Sequence, residues 1–371
     1  MKLQTRFLLS FLILVCAILV CPSDAQQSGR YIVTIQAPTE QAAEAVMRAG
    51  GSVIHVYDNI PAIAIQVPAQ ALAGLQRNPL IVDIEPDSIV STMAKPPKQP
   101  PTPPAQTLPW GINRIDAEWA HAKDYLGQGA KVAVVDTGID LTHPDLGVAG
   151  GINIINPAKS YADDNGHGTH VAGIIAARDN AIGVIGVAPA ASLYAVKVLN
   201  RSGMGWTSDI MAGVDWCITE GMDVVNMSLG GGSYIQEFQN LCDAAAAAEV
   251  QIVAAAGNES GAVSYPAAYA NVIGVSATDS SDAFASFSNF GIGVDIAAPG
   301  VSIYSTYKGG GYATLSGTSM AAPHVAGTLA LSLNIFTTAD DIELPAIQQG
   351  DGLVDAGEAA TGIEDYGDDL P

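Results

Sequence analysis

The sequence predicts an α/β fold, a parallel sheet with helices on both faces, preceded by a small α+β unit of ferredoxin-like order. Three observations predict it. From about residue 105, short apolar runs of buried-strand type alternate with helical stretches, the pattern of a doubly covered parallel sheet. Residues 30–92 instead read strand, helix, strand, strand, helix, strand, which is the split βαβ order. Between the two lies 95–104 (KPPKQPPTPP), a proline-rich and semi-rigid linker.

In the small unit, 30–36 (RYIVTIQ) alternates as a strand does. The stretch 39–50 has helical spacing, with Thr39 as its N-cap and Gly50-Gly51 at its end. Two strands, 53–57 and 62–67, flank the turn 58–61 (DNIP). A short helix, 68–78, opens on Pro68, and 80–85 is a last strand. A unit of about sixty residues buries a marginal core and is expected to need a partner surface. In the large unit the buried strands are 131–136 (KVAVVD), 192–198 (SLYAVKV), 224–228 (VVNMS), 252–256 (IVAAA) and 272–276 (VIGVS). The helical stretches are 167–177, 208–220, 234–249 and 318–331. In such sheets, sites form just beyond the carboxyl ends of the strands.

Composition bounds the rest. Of 371 residues, 49% are apolar and 14% charged, which supports a sizeable core and excludes a disordered chain. Lys and Arg number 15 against 37 Asp and Glu, a net charge of −22. A phosphate-tracking surface needs the opposite sign, so nucleic acid is excluded as a partner. Lys2 and Arg6, the apolar run 7–20, and Ser23-Asp24-Ala25 read as a secretory leader cut after Ala25. About 14 apolar residues are short for a membrane span, so no stable anchor is expected. The expected product is extracellular and monomeric. Cys16 and Cys21 leave with the leader, while Cys217 and Cys242 remain as a disulfide or as two buried thiols. From Phe336 the chain carries ten acidic residues and no Lys or Arg, and 363–371 reads as a solvated acidic tail.

Three segments carry chemistry. Asp136 ends a buried strand in VAVVDTGID. His167 lies in DDNGHGTHVAG and Ser319 in LSGTSMAAPHVAG, each a glycine-flanked turn opening a helix. Singly, each has an ordinary explanation as a turn, structural or capping residue. Together they supply what a serine nucleophile needs: a base within reach, and an acceptor that fixes the base's tautomer. Asp136 would hold His167, and His167 would take the Ser319 proton. Asn258, in IVAAAGNES at another strand end, would share a developing oxyanion with the Ser319 N–H.

On these motifs, with VNMSLGGG and VAPGVSIYST between them, the sequence resembles the subtilisin-like serine endopeptidases over about 105–362. Residues 26–93 resemble that family's inhibitor-like propeptide. The resemblance implies a substrate cleft in which Ser228-Leu229-Gly230 and Ala255-Ala256-Gly257 form the walls of the pocket for the residue before the cut. Gly203-Met204-Gly205 would be an edge strand pairing with the extended substrate. Small walls imply a broad preference for large apolar side chains, and Glu259 near the pocket could also admit a basic one. Structural calcium is implied too, held by Gln106, Asp145 and Asn180 with carbonyls of Arg178, Ile182 and Val184, an oxygen-only set that suits a hard cation. A zinc reading of His167 and His170 is poor, since metalloprotease helices carry HExxH.

The small domain would be an intramolecular inhibitor, released by autocleavage after Met93 with Val90 in the fourth subsite. The chain departs from the family after Asn334, where it is about ten residues shorter ahead of GDGLVDAGEAA.

Overall fold

A computed structural model describes residues 28–36, 38–92, 104–332 and 339–362. The leader 1–25, the expected cut after Met93, residues 94–103 and the tail 363–371 lie outside the described residues.

The N-terminal unit runs β1 (Ser28–Ile35), α1 (Thr39–Arg48), β2 (Ser52–Val56), β3 (Ala62–Pro68), α2 (Leu72–Leu75), β4 (Ile81–Pro86) and β5 (Ile89–Thr92). Its antiparallel sheet has the order β2-β3-β1-β4. Strand alternation divides the apolar residues between its two faces. Val33, Ile35, Ile63, Ile65 and Val67 pack with Ala42 and Val46 of α1 and Leu75 of α2. Ile32, Ala62 and Ala64 face the other way, into a core shared with the large unit. Two details differ from the expectation. Pro38, in extended backbone, is the N-cap of α1, so Thr39 is its first helical residue and caps nothing. The stretch after Pro68 is a 3₁₀ turn, Ala69–Ala71, followed by the single turn of α2.

The large unit begins with α3 (Trp110–Arg114) and α4 (Ala117–His121), then β6 (Lys131–Asp136), β7 (Val148–Asn153), α5 (His167–Ala176) and β8 (Ser192–Lys197). It continues with β9 (Met204–Trp206), α6 (Thr207–Thr219), β10 (Val224–Met227), β11 (Leu229–Gly230), α7 (Gln236–Ala247), β12 (Gln251–Ala255) and β13 (Val272–Thr278). It closes with β14 (Ile296–Pro299), β15 (Ile303–Tyr307), β16 (Gly311–Leu315), α8 (Thr318–Ser332), β17 (Ala339–Asp340), α9 (Ala346–Gln349), β18 (Leu353–Val354) and α10 (Ala356–Thr361).

Among the described residues, nine strands form one sheet in the order β17-β18-β14-β13-β12-β10-β6-β8-β7. The pairs are parallel except at β17, which runs antiparallel to β18. Every residue of β6 after Lys131 is buried, as a central parallel strand requires. Val132 and Val134 pack under α5 and α8, while Ala133 and Val135 pack under α6 and α7. Helices α5 and α8 are buried almost all round. Cys217 of α6 and Cys242 of α7 are both buried and free, and burial pushes both thiols up.

Candidate active site

Asp136 is the last residue of β6, His167 the first of α5 and Ser319 the second of α8. His167 Nδ1 lies 2.9 and 2.8 Å from the two carboxylate oxygens of Asp136, and both residues are buried. An Nδ1 facing a carboxylate carries the hydrogen, which leaves Nε2 as the acceptor. Nε2 is buried and has no hydrogen-bond partner among the described residues. The approach depends on Gly168. A Cβ there would stand 2.2 Å from the Gly138 carbonyl and 3.1 Å from Asp136 Oδ1.

Ser319 is held by its own helix in an unusual way. Pro323 lies inside α8 and has no N–H for the carbonyl four residues back, which is that of Ser319. The Ser228 hydroxyl donates to that carbonyl instead, at 2.8 Å, and itself accepts from Asn226 Nδ2 at 2.9 Å. The Ser319 hydroxyl donates to the Ser228 carbonyl at 3.0 Å. The structure thus joins Asp136 to His167 and leaves the serine hydroxyl turned to Ser228.

Asn258 follows β12. Its Oδ1 accepts from the Thr318 N–H at 2.9 Å and from the Thr318 hydroxyl at 3.0 Å, which fixes the amide's orientation. Its Nδ2 lies 3.0 Å, and the Ser319 backbone N 3.7 Å, from where a Cβ on Gly317 would sit. Two nitrogen donors therefore flank one small space. Thr318 went unassigned in the sequence, although its place directly before Ser319 is a signal.

A three-stranded sheet, β11-β5-β9, runs beside these groups. β5 of the N-terminal unit is its middle strand, with Val90 opposite Gly205, Ser91 opposite Met204 and Gly230, and Thr92 opposite Leu229. The edge strand predicted at Gly203-Met204-Gly205 begins one residue later, at Met204. Gly203 sits at φ +73°, outside the strand geometry, yet its carbonyl accepts the Thr92 N–H at 2.8 Å. Leu229 and Gly230 form β11, and Ala255 ends β12. Ala256 is buried beside them, and the Gly257 N–H donates to the Thr318 hydroxyl at 3.1 Å. Glu259 Oε2 accepts from the Asn258 N–H and from Asn289 Nδ2, both at 2.9 Å, so it braces this loop.

The candidate metal ligands also converge. Asp145 accepts from Asn180 Nδ2 at 2.7 Å and from the Val184 N–H at 3.0 Å. Gln106 Oε1 accepts from the Asn180 N–H at 2.6 Å, and Asn180 Oδ1 from the Ile182 N–H at 2.7 Å. The Arg178 N–H donates to the Asp145 carbonyl at 2.9 Å. A Cβ on Gly183 would fall 2.1 Å from the Tyr312 hydroxyl and 2.3 Å from Asp145 Oδ2, so only glycine lets the loop pass this close to them. The set supplies one carboxylate and two side-chain amide oxygens, chemistry that suits a hard cation such as calcium, while the groups that meet Asp145 are donors: Asn180 Nδ2, the Val184 N–H and the Tyr312 hydroxyl. Burial pushes the Asp145 carboxyl up, against the hydrogen bonds it accepts.

Two further histidines back the site. Burial, and then the nearby His167, push His170 down to about 3. Burial pushes His324 down to about 4. His170 Nε2 faces the carbonyls of Ala313 and Ile303 at 3.0 and 3.2 Å, so it donates from that nitrogen as a neutral ring.

A model of the subtilase family matches residues 127–345. The chain belongs to the subtilase family. It is 41% identical over 353 residues to a thermostable alkaline protease of Halalkalibacterium halodurans, covering 91% of this chain and 94% of that protein. It is 48% identical over 279 residues to an alkaline protease of Shouchella clausii, covering 75% of this chain and 70% of that protein. It is 54% identical over 228 residues to Subtilisin Savinase of Lederbergia lenta, covering 61% of this chain and 84% of that protein. As a subtilase, the protein is a serine endopeptidase with a subtilisin-like fold.

Proposed function

We propose that this subtilase is secreted, made as a self-processing zymogen, and hydrolyses proteins with a broad preference for large apolar residues before the cut. The observation that carries the reading is the buried His167–Asp136 pair with Nε2 unpartnered, in a chain that also holds Ser319 at the head of a buried helix. In the proposed reaction the Ser319 hydroxyl leaves Ser228 by rotation about χ1 and gives its proton to His167 Nε2. Its Oγ bonds to the substrate carbonyl carbon, whose oxygen becomes the anion. Asn258 Nδ2 and the Ser319 N–H donate to that oxygen, the amide donor being worth about 3–4 kcal/mol, a magnitude carried over from subtilisin. Collapse breaks the C–N bond, and the His167 proton goes to the leaving amine. Water then repeats the sequence and frees the acid, with Asp136 stabilising each imidazolium.

The zymogen reading rests on β5, which takes the middle of a sheet whose outer strands are the proposed substrate-binding segments. A cut after Met93 makes Val90 the fourth residue before it, and Val90 is buried. The proposed organisation is leader 1–25, propeptide 26–93, linker 94–104, catalytic domain 105–362 and acidic tail 363–371. The leader pattern supports an extracellular product. For calcium, Gln106, Asp145, Asn180 and the carbonyls of Arg178, Ile182 and Val184 would hold the ion, which would tie the start of the catalytic domain to the loop after α5.

The test is Ser319→Ala expressed in a protease-free host. Accumulation of uncut precursor with no caseinolysis is expected. A variant that still matures and digests casein contradicts both the nucleophile and the self-processing.

A further inference from the structure

Asp136 and His167 can act as a pair only if their backbones are held in register. They sit on separate elements, one at the end of β6 and one at the head of α5, and no covalent feature joins those ends. A helix head presents N–H groups that its own turn cannot satisfy. In α5 the second and third of these belong to Gly168 and Thr169, directly after His167. Neither is capped by a neighbouring side chain of the usual kind, since the N-cap is Gly166. The Gly168 N–H donates to the Thr137 hydroxyl at 3.0 Å, and Thr137 follows Asp136 in the chain. The Thr169 N–H donates to Asp163 Oδ2 at 3.0 Å.

Asp163 then links the two. Its Oδ1 accepts the Thr137 hydroxyl at 2.9 Å and the N–H groups of Asn165 and Gly166 at 2.8 and 2.9 Å. Its Oδ2 also accepts the Thr169 hydroxyl at 2.5 Å. One carboxylate therefore receives five donors from three places: the end of β6, the turn before the helix, and the helix's first turn. The other side of Thr137 is held as well. The buried ammonium of Lys197, opposite Asp136 in the sheet, donates to the carbonyls of Thr137 and Leu199 at 2.7 and 2.9 Å and to Asp164 at 2.7 Å.

We propose that Asp163 is a positioning residue for peptide hydrolysis: through Thr137 it locks the end of β6 to the first turn of α5 and so holds His167 against Asp136. The inference rests on the reading in which those two side chains act on Ser319. Only a carboxylate meets this donor set. Asparagine offers one acceptor oxygen, and its amide hydrogens would confront N–H groups that can only donate.

Asp163→Asn is expected to lower kcat on a peptide substrate by about 10- to 100-fold, the cost of a small misplacement of a catalytic group, with KM within about twofold. In an Asp136→Ala background, where no pair remains to be held, the same substitution should cost less than about twofold more. Thr137→Ser should keep kcat within about threefold of the parent. Thr137→Val, which removes only the hydroxyl and no charge, should reproduce the loss and move the acid limb of kcat/KM to lower pH. If Asp163→Asn fails to fold, the Thr137 pair decides.

An unchanged kcat in Asp163→Asn, or in Thr137→Val, overturns the proposal. So does an equal loss with and without Asp136, or a change confined to KM. Ser319→Ala, run in parallel, separates the two levels. If it is dead while Asp163→Asn is fully active, only the positioning role fails. If it remains active, the catalytic reading itself fails.

Discussion

The two sheets of this protein are covered differently, and the difference carries the regulation proposed for it. The parallel sheet is clad by helices of its own unit on both faces, α5 and α8 on one and α6 and α7 on the other. The antiparallel sheet of residues 28–92 owns helices on one face only. Its second face, with Ile32, Ala62 and Ala64, is covered by α6 and α7. At the margin of that contact lies a charged network. Asp209 of α6 accepts from Arg30 at 3.0 Å and from His55 at 2.7 Å. Asp215 accepts the N–H groups of Asp58 and Asn59, both at 2.9 Å. Burial pushes the Asp209 carboxyl up, and His55 and Arg30 outweigh it, holding the group below the usual carboxylate range. The first sheet is complete in itself, whereas the second is half of an interface, which suits the propeptide role proposed for it.

The sharpest way to break this comparison is to separate the units. Residues 28–92 alone should show no cooperative thermal transition by circular dichroism and should gain one on addition of mature enzyme. A stable isolated unit would mean that its own helix-covered core suffices. Next in size is Asp209→Ala, which takes from His55 its carboxylate partner and leaves Arg30 paired with Asp87 alone, at 3.0 Å. A loss of about 1.5–3 kcal/mol is expected for hydrogen bonds to a charged group, read as an inhibition constant for the 28–92 segment raised at least tenfold. An unchanged constant would reduce the network to ornament on an apolar contact.

Chelation sharpens the other side. Removal of calcium should lower the melting temperature of the mature enzyme by several degrees and leave the segment 28–92 without effect of its own. No shift would contradict the calcium assignment.

The smallest effect per step is acid sensitivity. His170 and His324 are held neutral at about 3 and about 4 in the folded protein, below the ordinary histidine value of 6.5. Their folded values are depressed, so the unfolded chain binds more protons between those limits. Stability is therefore full above pH 6.5 and falls as pH drops toward 4, by about 1.4 kcal/mol per pH unit for each ring. Urea midpoints of the mature enzyme at pH 7 and pH 5 measure this, and equal midpoints would contradict it.

Much of the large unit was legible because parallel strands are continuously apolar. The apolar run 131–136 has the same limits as β6. Strand β7, with two adjacent glycines, and the β15–β16 hairpin, whose apolar residues are interspersed with Ser, Thr and Gly, gave no such signal. In the candidate site, Asp136, His167, Ser319 and Asn258 stand out in the sequence because chemistry and glycine-containing turns coincide there. Asp163, Thr137 and Lys197 were not, because their significance lies in bonds spanning 26 to 60 residues of sequence. Locally they read as turn polarity and a strand-end charge. The missed cap at Thr39 has the reverse cause. Threonine's residue type points to a cap, while the extended backbone at Pro38 starts the helix one residue sooner.

The central claim is that one alcohol, made nucleophilic by His167, does the chemistry. The most direct measurement is stoichiometric labelling of the mature enzyme with a sulfonyl fluoride, followed by peptide mass mapping. The account predicts one label per chain, on Ser319, with activity lost in proportion and labelling abolished by His167→Ala. A label on another residue, or full activity in a chain labelled at Ser319, would contradict it.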